Sequence, residues 1–87
     1  MTNVKRYVKD NRSREREQMM QAVYDFIVGY KDEWGGVSPS LGEIANGCYM
    51  SRSNVVRYLD ILEARGYIER VHNVPRSIRL ITEQDRL

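Results

Sequence analysis

SPSLGEIANGCYMSRSNVVRYLDILEARGYIERVHNVPRSIRL, residues Ser38 to Leu80, is the stretch that decides the fold. Ser40-x-x-Glu43 has the form of a capping box, in which each side chain satisfies the other residue's free backbone N–H at a helix start. Leu41, Ile44 and Ala45 give that short helix one apolar face. It is predicted to stop at Asn46-Gly47, with Gly47 taking positive φ and Cys48 to Met50 forming a tight turn. Tyr49 and Met50 are expected to close that turn by hydrophobic contact. Ser51 caps a second helix that runs to about Arg65. Val55, Tyr58, Leu59 and Leu62 share one stripe of it, with Ile61 at the edge, while Arg52, Ser53, Asn54, Arg57, Asp60 and Ala64 lie away from that stripe. Gly66 suits the left-handed position just past a helix. Alternation then predicts strands over Tyr67–Val71 and Ser77–Ile81, joined by His72 to Arg76, where Pro75 fits a loop rather than a ladder. A lone hairpin is marginal in water, so Ile68, Ile78 and Leu80 are expected to pack on the helices.

Upstream, Met19, Met20, Val23, Phe26, Ile27, Tyr30 and Trp34 recur at steps of three and four, the period of an amphipathic helix with a broad buried face. Ser13 is its expected N-cap, Glu15 sits in its first turn, and Gly35-Gly36 ends it. Residues 1–12 are read as a flexible basic segment, 13–81 as one domain and 82–87 as a polar tail. Val4, Tyr7 and Val8 sit at helical spacing within the first segment. The fold class that follows is mainly α with a small β-hairpin, a three-helix winged helix-turn-helix.

The 87 residues, 41% of them hydrophobic, suit a single small core. Fourteen Lys and Arg against 12 Asp and Glu leave a net charge of +2, too little to name a partner. The distribution says more. Lys5, Arg6, Lys9, Arg12, Arg14 and Arg16 crowd the beginning, and Arg70, Arg76 and Arg79 mark the hairpin. Acids gather at Asp25, Asp32, Glu33, Asp60, Glu63 and the tail. Segregation of this kind favours one face meeting a polyanion. The single Cys48 has no internal partner and reads as a small buried hydrophobe of a reducing compartment. No apolar run approaches a membrane span, and the polar start lacks the apolar core of a secretory signal. A cytoplasmic location is expected.

The chemistry expected of this pattern is recognition of double-stranded DNA. A helix fits the B-DNA major groove, about 12 Å wide, when one face is anchored and the other carries short polar or guanidinium groups. The residues after Ser51 have that division, and the first turn of such a helix is the part that reaches bases. Asn54 suits adenine, and Arg52 or Arg57 suits guanine. Ser38 and Ser40, beside the free N–H groups of the preceding helix, are candidates to hold a phosphate. In the hairpin loop His72, Asn73, Arg76 and Ser77 are candidates for the backbone or the minor groove, Arg76 foremost. One His and one Cys far apart, no phosphate-cradling glycine loop and no metal-ligand spacing argue against an enzyme, a cofactor or a metal. The alternative is a protein-interaction module that binds no specific DNA. It would need an apolar rather than a cationic outer face.

These residues resemble the DNA-binding domain of the LexA repressor family. Ser38-Pro39-Ser40-Leu41-Gly42-Glu43-Ile44-Ala45 looks like the family's "PPT-x-x-EIA" opening. Ser51-Arg52-Ser53-Asn54-Val55-Val56-Arg57-Tyr58-Leu59 resembles its recognition helix. Leu62-Glu63-Ala64-Arg65-Gly66-Tyr67-Ile68-Glu69 is similar to its "LE-x-KG-x-I" approach to the wing. Arg76-Ser77-Ile78-Arg79-Leu80 matches the returning strand, and Val23-Tyr24-Asp25-Phe26-Ile27 the middle of the first helix. The likeness covers roughly residues 17–81. It implies a repressor that occupies an operator, with Ser51, Ser53, Asn54, Val56 and Arg57 at the base-reading positions. The turn at Gly47 to Met50 is about one residue shorter than the family's. Arg57 stands where some relatives carry an acid or glycine, which implies a different target. No protease-like domain follows Leu87 in this sequence, so the self-cleavage and the dimerisation that accompany it are not carried over. A second copy or a partner protein is nonetheless expected to supplement so small an interface.

Overall fold

The computed structural model describes residues 3–86, and the side chains of 12–82, 84 and 85. Its elements in chain order are α1 (Asn3–Glu33), α2 (Leu41–Cys48), α3 (Arg52–Ala64), β1 (Ile68–Glu69), β2 (Arg79–Leu80) and α4 (Glu83–Arg86). Three helices enclose one core and a two-stranded antiparallel hairpin closes its side, the winged helix-turn-helix arrangement expected above.

The core is built from the predicted stripes. Met20, Val23 and Ile27 of α1 meet Ile44 and Ala45 of α2, Val55, Leu59 and Leu62 of α3, and Ile68 and Ile78 of the hairpin. Burying an aliphatic side chain of this size contributes roughly 1.5–3 kcal/mol, so this cluster is what orients α3. Some of the predicted apolar positions fall outside it. Met19 and Trp34 belong to the helical period but lie on its rim, exposed, and Leu41 in the first turn of α2 is exposed as well.

Helix α1 differs from expectation at its start. Ser13 is interior to a helix that begins at Asn3, so it is not the N-cap. The side chains of Val4, Lys5, Arg6, Tyr7, Val8 and Lys9 lie outside the described residues. At the other end Gly35 and Gly36, with φ of 64° and 93°, terminate it as read. None of the described helices is long and apolar enough to cross a membrane.

The helix-turn-helix junction is also set differently from its sequence reading. Gly47 lies inside α2, and Tyr49 takes the left-handed conformation at φ 55°. Met50 N–H donates to the Ala45 carbonyl at 3.0 Å, closing the turn. Gly47 is needed for a different reason. A Cβ there would stand 2.0 Å from Cε2 of Phe26, so the Phe26 ring rests directly on the α2 backbone. Met50 packs against the core, but Tyr49 projects into solvent, 95% exposed, and closes nothing. The end of α3 is as predicted. Gly66 at φ 82° donates to Glu63 O and Tyr67 N–H to Leu62 O, both at 3.0 Å, the pair of bonds that defines a Schellman motif.

The strands are shorter than the alternation predicted. Ile68 pairs with Leu80 and Glu69 with Arg79. Two positions further, both backbone groups of Val71 go to the Ser77 hydroxyl instead of its backbone. Val71 N–H donates to Oγ, and Oγ donates to the Val71 carbonyl, each at 3.0 Å. One side chain thus replaces the next rung of the ladder.

Candidate nucleic-acid interface

The outer face of α3 is positioned from both sides. Ser51 Oγ accepts from Asn54 N–H at 3.1 Å and fixes the helix start, while Val55, Leu59 and Leu62 hold the inner face in the core. Ser51, Arg52, Ser53, Asn54 and Arg57 are then all exposed on the opposite side. The side chains of Arg52, Ser53, Asn54 and Arg57 make no hydrogen bond or ion pair within the described residues.

That freedom stands out because the neighbouring cations are occupied. Arg65 holds Glu17 through two bonds of 3.0 Å. Arg70 meets Asp60, and its Nε donates to Glu63 at 3.3 Å. Arg79 bridges Glu69 and Asp85. Lys31 Nζ donates to the carbonyls of Gly36 and Ile78 at 3.0 Å each. From Glu17 to Asp85, among the described residues, Arg52 and Arg57 are the Lys and Arg side chains that make no hydrogen bond or ion pair, and both stand on α3.

Arg76, expected to be the foremost wing contact, is also engaged. Its guanidinium grips Glu43 through Nη1 at 2.8 Å and Nη2 at 3.1 Å, and Nη1 also donates to the Ser38 carbonyl at 3.2 Å. Tyr30 completes the node, donating to Glu43 Oε2 at 3.2 Å and accepting from Arg76 at 3.1 Å. Glu43 meanwhile accepts from Ser40 N–H at 2.8 Å, and Ser40 Oγ from Glu43 N–H at 3.2 Å, so the capping box is present as read. The Arg76 guanidinium foremost, with the Ser40 N–H behind it, draws the Glu43 carboxyl down to about 2.

The other candidates divide. Ser38 is buried, and its hydroxyl accepts from Ile78 N–H at 3.1 Å, fastening the second strand to the α1–α2 connection; it offers nothing outward. Ser40 remains at the mouth of the α2 N-terminus, with its hydroxyl used in the cap. His72 is exposed but turns toward Glu63, its Nε2 3.5 Å from Oε1. Asn73, at φ 66°, is exposed at the loop tip, whereas Ser77 is half-buried and committed to Val71. Val56 is half-buried in a groove of about 430 Å³ between α2, α3 and the hairpin loop. Asp60, Glu63 and His72 bring ligand atoms within 4.8 Å of one another, but the Arg70 guanidinium already answers both carboxylates.

Sequence reasoning missed the Arg76–Glu43 pair, which spans 33 residues and follows no local spacing. It also missed Gly42, which lies under the Arg52 guanidinium; a lone helix glycine was the available signal.

The family described as "Helix-turn-helix domain" matches residues 18–68, from within α1 through α2 and α3 to the first strand. The chain belongs to the helix-turn-helix domain family. Its likeness to named proteins points the same way as its wing. It is 35% identical over 66 residues to a LexA repressor of Koribacter versatilis, covering 75% of this chain and 31% of that protein. It is 34% identical over 71 residues to a LexA repressor of Herpetosiphon aurantiacus, covering 80% and 33%. A LexA repressor of Staphylococcus haemolyticus is 33% identical over 72 residues, covering 82% and 34%. This helix-turn-helix domain therefore spans about a third of the length of the curated relatives it matches.

Proposed function

We propose that the chain is a sequence-specific double-stranded DNA-binding regulator of transcription, a repressor of the LexA type, that lays α3 in the major groove. One observation carries this reading. Arg52 and Arg57, the arginines after Glu17 whose side chains are unpaired among the described residues, share the exposed face of α3 with Ser51, Ser53 and Asn54. A face left charged while its neighbours are neutralised suits a polyanion, and these residue types suit base edges. The names of the relatives support repression as the mode.

In this reading Asn54 and Arg57 read bases from the first turns of α3, with Val56 beside them. His72 and Asn73 are the wing groups left to approach the sugar–phosphate backbone. Arg76 holds the wing in place rather than meeting DNA. A winged module of this size buries roughly 600–1,000 Å² on DNA, so useful affinity calls for a second copy, tandem sites or a partner protein. A cytoplasmic location and a lack of catalysis go with the reading.

Selection of bound duplexes from a random pool tests it. The expected outcome is an enriched motif. Arg57→Ala should relax preference at one position of that motif, with a loss there of roughly 1–3 kcal/mol in discrimination. Retention of duplexes without any enriched sequence would remove specific recognition from the reading.

A further inference from the structure

Gly42 is the second residue of α2, and its backbone is not among the glycines with positive φ. Glycine there costs about 1 kcal/mol of helix stability relative to alanine, and the backbone conformation gives no reason for it. The surroundings do. A Cβ on Gly42 would stand 2.8 Å from Nη2 of Arg52, 3.5 Å from its Cζ and 3.7 Å from its Nε. The guanidinium occupies the space a methyl group would take, lying against bare α2 backbone. Arg57, five residues along and equally unpaired, supplies none of the atoms nearest to a glycine.

We propose that Gly42 is a positioning residue. By presenting backbone alone, it fixes where the Arg52 guanidinium stands at the start of α3, and so which DNA contact that cation makes. This rests on the DNA-binding reading above. Arg52 lines the groove between α2 and the hairpin loop, opposite Val71 to Ser77. A guanidinium held there before DNA arrives loses less side-chain freedom on binding than one free in solvent. The two arginines of the reading face therefore differ in kind. Arg52 rests against Gly42, whereas Arg57 adjoins no glycine.

Gly42→Ala tests the proposal, because alanine favours the helix and the methyl displaces only the tip of a flexible side chain. The fold should persist with Tm unchanged or slightly raised. The NMR signal of Arg52 Nε–Hε should shift and its relaxation should show greater motion. Duplex affinity should fall roughly three- to tenfold, the lower part of what one well-placed guanidinium contact contributes. In an Arg52→Ala background the same Gly42→Ala change should alter affinity by less than about 1.5-fold, since distant effects add and coupled ones do not. An Arg52 Nε–Hε signal indifferent to Gly42→Ala overturns the proposal, as does an equal affinity loss in both backgrounds. If the unaltered chain retains no duplex at low salt, it is the DNA-binding reading that fails; the NMR comparison still decides whether Gly42 sets Arg52.

Discussion

Glu43 takes bonds from Ser40, Tyr30 and Arg76, and its carboxyl is held at about 2 against an ordinary 4.5. A carboxylate depressed by folding contributes stability that is present above its unfolded pKa and is lost as pH falls toward its folded one. The domain should therefore lose stability as pH drops from about 4.5 to about 2. Glu43→Gln should flatten that part of the curve, as read by denaturant midpoints across the acid range. Gly47 supports a second expectation. Gly47→Ala drives a methyl to 2.0 Å from the Phe26 ring, and overpacking of this kind costs roughly 1–3 kcal/mol. Each kcal/mol lowers Tm by roughly 4–8 °C in a domain of this size, so calorimetry resolves the change. The two residues were not equally legible. Glu43 is declared by its spacing from Ser40, because capping is local. The burden on Gly47 comes from a ring 21 positions away, and no neighbouring residue announces it. Position 49 carries the left-handed backbone that Gly47 was expected to supply.

The hairpin shows where alternation stops being informative. Period-two patterning reports which residues face the core, and Ile68, Ile78 and Leu80 do pack there. It does not report whether backbone or side chain supplies the next rung, which is why Ser77 ends the ladder unannounced. The hairpin's attachment is a separate matter, set by Ser38. Ser38→Ala removes the acceptor of the Ile78 N–H, and Ile78 is 6% exposed. An unpaired buried donor costs about 1–3 kcal/mol. Amide exchange at Ile78 should accelerate accordingly, with the helices much less affected. At the end of α3 the same reasoning concerns backbone shape. Gly66→Ala at φ 82° should destabilise by roughly 1 kcal/mol, measured by chemical denaturation.

Taken together, the molecule separates its charges into those used for folding and those left available. The described ion pairs are mostly exposed, and exposed pairs contribute only about 0–1 kcal/mol each. Raising salt from about 0.05 to 0.2 M should therefore move Tm little. Over the same interval duplex affinity should drop about three- to fourfold for every phosphate contact made, a contrast that one thermal series and one binding series would reveal. The division was half legible in the sequence. The stripe of α3 predicts which arginines point outward, but only folding shows that Arg65, Arg70, Arg76 and Arg79 have acids to meet. The Tyr30–Glu43–Arg76 node joins α1, α2 and the hairpin loop at a single point. If α3 and the wing meet DNA as proposed, a wing pinned this way acts as a caliper rather than a tether. The node sets the gap between its tip and α3, so on that reading an operator lengthened by one base pair between the two footprints should be bound more weakly.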